Sequence, residues 1–148
     1  MKPLRQGGFL LAKIHQLSGR IFAKKLKDCN IEINPSQGRI LFVLWQNDSI
    51  PINELAQRTA LGKSTLTSML DRLEAGGYLQ RVAAPEDRRQ ILIKLTPKNQ
   101  LVQEAHEKVS EEMTDLFYRG FSGTEIEEFE GKLARIYRNL GEYEEKER

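Results

Sequence analysis

The stretch that decides the fold spans residues 61–96 and reads LGKSTLTSMLDRLEAGGYLQRVAAPEDRRQILIKLT. Its first half predicts a helix, because its leucines recur at steps of four and three and therefore share one face. These leucines are Leu66, Leu70 and Leu73. Gly62 is suited to cap this helix and Gly76-Gly77 to end it. A β-prone segment, a charged turn and a segment that alternates with a period of two follow. This order indicates a winged helix-turn-helix.

The face of this helix opposite the leucines carries short hydroxyl side chains among charged ones. Its members are Lys63, Ser64, Thr65, Thr67, Ser68, Asp71 and Arg72. Short side chains let a helix approach base edges in the major groove of DNA, and lysine and arginine contact phosphates. We therefore expect the four hydroxyl residues to contact bases and Lys63 and Arg72 to contact phosphates. A solvated helix that happens to be rich in serine and threonine is the alternative.

The turn of the predicted hairpin ends in Asp87-Arg88-Arg89. Pro85 cannot donate to a strand ladder, so the strand ends before it and the arginines lie at or near the tip. A narrow minor groove has an enhanced negative potential that attracts arginine. Arg88 and Arg89 are therefore candidate DNA contacts, and solvated turn charges are the alternative.

The rest of the chain predicts five further helices. A first helix at about residues 6–28 carries two apolar stripes, which indicates more than one packing partner. Asn34-Pro35 predicts a cap and the start of a second helix. Pro51 begins a short third helix that leads directly into the hydroxyl-bearing helix, the spacing of a helix-turn-helix.

Two helices follow the hairpin. Thr96-Pro97 predicts a capped start for a fifth helix that ends at Gly120, and residues 122–125 form a capping box for a sixth. The sixth helix has apolar residues at steps of three and four over about two heptads. We therefore expect a mainly α fold with a small β-hairpin wing, the winged helix-turn-helix being flanked by N- and C-terminal dimerisation helices.

Together these motifs resemble the MarR family of winged-helix transcriptional regulators. The residues that carry the resemblance are Glu54-Leu55-Ala56, the run 63–67, Asp71-Arg72-Leu73-Glu74, Gly77-Tyr78-Leu79, Asp87-Arg88-Arg89 and Leu95-Thr96. The resemblance implies one domain over residues 1–148, with a DNA-binding lobe at about 34–96 and a helical dimerisation region at about 6–28 and 97–145. It implies a homodimer on a pseudo-palindromic operator of double-stranded DNA, usually as a repressor. It also implies that Asp71 holds a wing arginine in place, and Asp87 is a second candidate for supporting the wing.

Composition limits the other functions. Hydrophobic residues make up 39% of the 148 residues and charged residues 30%, which suits a globular core, and no run is long enough to cross a membrane. No secretory signal is evident, and one cysteine fits a reducing cytoplasm. Residues 1–98 carry 16 Lys and Arg against 8 Asp and Glu, whereas residues 99–148 carry 7 against 13. A basic part that includes the hairpin favours a nucleic-acid partner.

Catalysis and metal binding find no support in the motifs. No nucleophile elbow and no glycine-rich phosphate loop is present. His15 and His106 lie far apart, and no Cys/His spacing suits zinc. We therefore predict no enzyme, no cofactor and no metal. A winged helix adapted to protein binding is a further alternative, but such domains tend to lose the hairpin arginines.

The family resemblance also raises two ways of releasing DNA. A small aromatic or lipophilic ligand could bind an apolar cleft with one positive group. Its candidate walls are His15, Phe22, Arg39, Phe42 and Trp45. Cys29 is the candidate for thiol oxidation, because Lys24, Lys25 and Lys27 could stabilise a thiolate. A half-buried core thiol is the alternative for Cys29, and core or solvated positions are the alternatives for the pocket residues.

Overall fold

The computed structural model describes residues 2–148 as six helices and three short strands, in the order α1, α2, β1, α3, α4, β2, β3, α5 and α6. The helices are α1 (Gly7–Asp28), α2 (Pro35–Gln46), α3 (Ile52–Thr59), α4 (Lys63–Ala75), α5 (Asn99–Phe117) and α6 (Gly123–Lys146). The strands are β1 (Ile50–Pro51), β2 (Leu79–Ala83) and β3 (Ile91–Leu95). The chain forms two compact units, one up to Glu111 and one from Glu112 to Arg148. The expected fold class is confirmed, whereas the division into a DNA-binding lobe and a dimerisation region stays a prediction.

Local capping sets the helix boundaries much as the sequence indicates. The side chain of Asn34 accepts a hydrogen bond from the Gln37 amide at 2.8 Å, and Gln37 accepts one from the Asn34 amide at 2.9 Å. This reciprocal pair satisfies two otherwise unpaired donors at the start of α2. Gly62 caps α4, and Gly77 has a φ of 83°, a left-handed conformation that glycine adopts without strain.

The three strands form an antiparallel sheet in the order β1-β3-β2. The hairpin pairs Leu79 with Leu95 and Ala83 with Ile91. Strand β1 was not predicted, because two residues are too few to show a period. It places Ile50 opposite Ile93 and adds a third strand to a hairpin that would be marginal alone.

The core of the first unit is aliphatic and draws on nearly every element. Its largest fully buried side chains are Leu26, Ile40, Leu41, Leu44, Leu55, Leu66, Leu70, Leu73, Leu79, Ile93, Val102 and Val109. The three leucines of α4 predicted to share one face are all 1% exposed. Their burial fixes the rotation of α4 about its axis and turns its hydroxyl face outward.

The predicted start of the fifth helix, with Thr96 as cap and Pro97 as the first helical residue, is wrong by two residues, since α5 begins at Asn99. The Thr96 hydroxyl does not cap the helix but donates to the carbonyl of Gly77, just past α4. The Asn99 side chain donates to the Thr96 carbonyl and accepts from Trp45 Nε1 at 2.7 Å. These tertiary hydrogen bonds compete with the cap and connect α2, the end of α4 and the start of α5.

The second unit is organised by aromatic rings at the turn into α6. Phe117, Tyr118, Phe121 and Phe129 pack on one another, and the Tyr118 hydroxyl donates to Glu130 at 2.7 Å. Partial burial, with the hydrogen bond and charge of Glu130, raises the pKa of Tyr118 to about 12. The predicted capping box is confirmed, because Ser122 and Glu125 bond reciprocally at the start of α6.

Over residues 2–148, none of the helices is both long and apolar enough to cross a membrane. The same part of the chain has no group of three His, Cys, Asp or Glu residues arranged to hold a metal ion.

Candidate nucleic-acid interface

The outward face of α4 is a shallow depression lined by Lys63, Ser64, Thr67, Ser68 and Asp71. All five are exposed, as are Thr65 and Arg72. The structure therefore brings the α4 residues that the sequence selects to one solvent-facing side of one helix. Two cations lie among uncharged hydroxyl groups there, and one carboxylate lies at the edge.

The hydroxyl groups of this face differ in what they can offer a ligand. Thr67 Oγ1 donates to the Lys63 carbonyl at 2.9 Å, so in this rotamer its oxygen can only accept from a ligand. Ser64 and Ser68 make no side-chain hydrogen bond within residues 2–148. They can therefore donate or accept. Thr67 suits an exocyclic amine of adenine or cytosine, and its methyl group suits the methyl of thymine.

The tip of the wing presents two arginines in different states. Arg89 is 93% exposed, yet its Nε donates to Asp87 Oδ1 at 3.2 Å and its main-chain amide donates to the same oxygen at 3.0 Å. Arg88 is exposed and makes no ion pair within the part of the chain that the structure describes. Asp87 thus orients Arg89 at the tip, while Arg88 keeps its rotamer freedom.

The arginine held by Asp71 is neither Arg88 nor Arg89 but Arg81, in strand β2. Arg81 Nη2 donates to Asp71 Oδ1 at 2.9 Å, and Nη1 donates to Glu74 Oε1. The Arg81 main-chain amide also donates to Glu74 Oε2, at 3.1 Å. Sequence reasoning overlooked Arg81 because it stands inside a strand, where arginine carries no special signal. Arg81 lies next to α4 only because the folded hairpin packs against that helix.

These contacts form a fork that joins the wing to α4. The Arg81 side chain is 26% exposed, against 39% for Glu74 and 64% for Asp71. Glu74 therefore offers the better shielded partner, and it bonds both the guanidinium and the main chain of β2. The fork holds the hairpin against the helix whose outer face carries the hydroxyl groups.

The predicted pocket residues are only partly brought together. Phe22, Phe42 and Trp45 all pack on the ring of His106, with centroid distances of 4.9, 6.4 and 4.8 Å. Arg39 instead donates to the carbonyl of Thr59, and His15 is exposed. The structure adds His106, a residue of α5 that the sequence analysis did not assign to this place.

The imidazole of His106 fills the space between the three aromatic residues. Burial lowers its pKa, and Glu107 opposes that shift to a smaller degree. Its Nδ1 lies 3.2 Å from the Ser110 hydroxyl, and a Cβ at Gly38 would lie 3.6 Å from its Nε2. That distance is an ordinary van der Waals contact, so α2 packs directly against the His106 ring at Gly38. We call Phe22, Phe42, Trp45 and His106 the His106 cluster.

Cys29 ends α1 as its C-cap residue and is half-buried as a free thiol. Its main-chain amide donates to the Leu26 carbonyl at 3.0 Å. This position agrees with a packed thiol at a helix end.

Comparison with known proteins identifies the family of this chain. The model of the MarR family matches residues 33–91, which run from the cap of α2 to the start of β3. The chain is 32% identical over 141 residues to the uncharacterized HTH-type transcriptional regulator YsmB of Bacillus subtilis (strain 168), covering 94% of this chain and 96% of that protein. The chain belongs to the MarR family. It is thus a winged-helix, DNA-binding transcriptional regulator.

Two further similarities bear on the MarR assignment. The HTH-type transcriptional regulator TtmR of Methylorubrum extorquens (strain PA1) is 39% identical over 67 residues, which are 45% of this chain. The match spans about a third (34%) of that relative. A crystal structure of a mutant MarR from E. coli, complexed with operator DNA, has a TM-score of 0.77 and 25% identity and covers 87% of this chain and 91% of that chain.

The fork predicts unequal effects of its two carboxylates on stability. Glu74→Gln should lower the free energy of unfolding by about 1 kcal/mol, because Glu74 is better shielded and serves two donors. Asp71→Asn should cost a few tenths of a kcal/mol, the usual value of an exposed ion pair. Urea unfolding followed by circular dichroism measures both variants, each serving as the control of the other. Equal costs would contradict the assignment of Glu74 as the main anchor.

Proposed function

We propose that this MarR-family protein represses transcription by binding a pseudo-palindromic operator as a homodimer. The observation that carries the proposal is the pairing of two DNA-reading features in one unit: the outward hydroxyl face of α4 and an exposed wing tip with Arg88 and Arg89. The Arg81 fork connects the two. A winged helix that binds only other proteins has no need for both a hydroxyl-rich helix face and arginines at the wing tip.

In the proposed complex α4 enters the major groove, and the wing reaches the adjacent backbone and minor groove. Ser64, Thr65, Thr67 and Ser68 read base edges, where short side chains allow close approach. Lys63 and Arg72 contact phosphates and set the register. Arg88 and Arg89 supply positive charge to the narrow groove.

Exposed apolar side chains support the homodimer. In α1, Leu10 is 48% exposed and Leu17 is 51% exposed, although both lie on one apolar stripe of that helix. In the second unit α6 has no buried residue, and Leu140 of its heptad pattern is 65% exposed. Exposed apolar surface of this extent usually marks an interface. Two copies of α4 could then meet successive major grooves, about 34 Å apart.

The effector part of the proposal rests on the His106 cluster. Its rings fill the site that the sequence assigns to a ligand, so a small aromatic acid or phenol would have to enter beside exposed Phe42 and displace ring packing there. Trp45 belongs to the cluster and also bonds Asn99, whose neighbour Thr96 bonds Gly77 at the end of α4. A ligand that shifts the cluster would thus move α4, the proposed recognition helix, and lower operator affinity through differential binding.

Wing arginines should contribute to DNA affinity. Arg88→Ala and Arg89→Ala should each weaken operator binding by about 1–3 kcal/mol, because each removes a charge-assisted contact. Fluorescence anisotropy on an operator selected from genomic fragments measures the loss, and circular dichroism checks the fold. Arg138→Ala in α6 removes the same charge elsewhere and should have little effect. Unchanged affinity after replacing both wing arginines would rule out the wing mechanism.

Base readout should depend on hydroxyl groups and phosphate contact on lysine. Thr67→Val keeps the shape and methyl group but removes the accepting oxygen, so it should change preference at one base position by about 1–3 kcal/mol. Lys63→Ala should weaken all sequences alike and reduce the slope of log affinity against log salt by about 1. Binding to a set of single-base operator variants distinguishes the two. A uniform loss for Thr67→Val would assign specificity to DNA shape.

The protein should form a dimer in solution. Light scattering at micromolar concentration should give about twice the chain mass of 17.0 kDa. Leu140→Glu should shift the mass toward the monomer, because it places a charge on an apolar interface. Arg138→Glu, on the same helix, is the matched control and should leave the mass unchanged. If the wild-type protein were a monomer, the predictions of a homodimer and of a pseudo-palindromic operator would both be wrong.

A screen of aromatic carboxylates and phenols should find compounds that release the operator. Release should be weaker for Phe42→Ala, which truncates an exposed wall of the His106 cluster, than for wild type. Cys29→Ser should respond to these compounds as wild type does. If no compound acts, and peroxide releases DNA from wild type but not from Cys29→Ser, the regulator senses oxidation through Cys29. If no DNA is bound at all, a protein-interaction role replaces the proposed function.

A further inference from the structure

Met69 lies on the recognition helix α4, at the contact with the start of α2. It is half-buried, and its sulfur accepts a hydrogen bond from Asn34 Nδ2 across 3.3 Å. Ser68, the residue before it in sequence, projects about 100° away around the helix and lines the outward depression. A change in volume or polarity at the Met69 sulfur therefore acts on the same helix, one residue from the surface proposed to read DNA.

The donor to this sulfur has little freedom to move. Asn34 Oδ1 accepts from the Gln37 amide at 2.8 Å, and the Asn34 main-chain amide donates to Gln37 Oε1 at 2.9 Å. Both bonds belong to the capping box of α2, and a withdrawn cap costs about 0.5–2 kcal/mol in general. The amide nitrogen is thus held in place by the cap that its own side chain makes.

An oxygen atom bonded to the Met69 sulfur does not fit the present spacing. A hydrogen bond from Nδ2 to that oxygen requires about 2.9 Å between nitrogen and oxygen. Because a sulfoxide oxygen accepts at a bent angle, the sulfur would then lie roughly half an ångström farther from the nitrogen than its present 3.3 Å. Pointed away from Asn34, the oxygen would place an unpaired polar atom on the half-buried side of α4, which is unfavourable. The first orientation moves the sulfur, and with it α4, away from Asn34, and the second weakens the contact between α4 and α2.

We propose that Met69 is a site of reversible oxidation and that its sulfoxide lowers operator affinity by displacing the recognition helix. The oxidant is a hypohalous acid or a peroxide. The sulfur lone pair attacks the oxygen of hypochlorous acid, the S–O bond forms, the O–Cl bond breaks, and chloride and a proton leave. The thioether loses two electrons and becomes a sulfoxide, and methionine sulfoxide reductases reverse the change. The inference rests on the proposed DNA-binding function.

Two other described sulfur atoms provide the comparison. Cys29 is half-buried at the end of α1, and Met113 is half-buried on α5 in the second unit. Within residues 2–148, Met113 makes no hydrogen bond through its sulfur. Neither residue lies on α4. Oxidation at these positions can therefore be separated from oxidation at Met69 by substitution.

The test compares two proteins. One carries Cys29→Ser and Met113→Leu and keeps Met69, and the other carries Met69→Leu in addition. Leucine replaces methionine at similar volume, so the second protein should fold and bind the operator. Each protein is treated with increasing hypochlorous acid, peptide mass spectrometry locates the added oxygen, and anisotropy gives operator affinity before and after treatment.

We expect the protein that keeps Met69 to lose affinity by about tenfold or more, as for an unpaired polar atom in a packed contact. The loss should follow the fraction of Met69 sulfoxide, and treatment with the two methionine sulfoxide reductases should restore binding. The Met69→Leu protein should keep its affinity at the same dose. Full affinity with Met69 oxidised, or an equal loss in the Met69→Leu protein, would overturn the inference.

Failure of the proposed function gives a different result, since the untreated proteins would then bind no operator. Amide hydrogen exchange still tests the displacement in that case. Oxidation of Met69 should speed exchange at the start of α2 and along α4, with no such change in the Met69→Leu protein. Unchanged exchange in both helices would overturn the inference independently of DNA.

Discussion

Burial of one leucine face of α4 is the constraint on which the rest of the molecule depends. Leu66, Leu70 and Leu73 are each 1% exposed. Rotation of α4 would expose them to water, at a cost in folding free energy of about 1.5–3 kcal/mol per leucine. The outward direction of the hydroxyl groups follows from that burial. The orientation of the hydroxyl face of α4 thus follows from core packing, and buried residues determine it.

The wing depends on α4 in turn. A two-stranded hairpin is marginal in water, and three sets of contacts stabilise this one. Strand β1 pairs with β3, the Arg81 fork ties β2 to α4, and Asp48 accepts a hydrogen bond from the Leu95 amide at 2.9 Å. The exposed tip can therefore carry unpaired charge while its base stays fixed. Such a division between a firm base and a free tip suits a contact that must adapt to a groove.

Features with a local cause could be predicted from the sequence, and features with a tertiary cause could not. The leucine spacing of α4, the cap at Asn34 and the capping box at Ser122 depend on residues within a few positions, and all three are confirmed. Strand β1 is too short to show a period. Thr96 was predicted to cap the fifth helix, but its hydroxyl donates instead to the carbonyl of Gly77, which is distant in sequence.

The candidate site divides in the same way. The outward placement of the α4 hydroxyl groups follows from helical period alone. The pairing of Asp71 with Arg81 depends on how strand β2 packs against α4, and the position of His106 depends on how α5 packs against α2. No local sequence pattern predicts either contact. The roles of these residues toward DNA and ligand stay predictions.

The His106 cluster contains the one tryptophan of the chain. An indole emits light whose intensity depends on what touches it, and a neutral imidazole quenches it less than a protonated one does. Burial lowers the pKa of His106, which favours the neutral form of the ring beside Trp45. The intrinsic fluorescence of Trp45 therefore reports on ring packing between α2 and α5 in solution, without an added label.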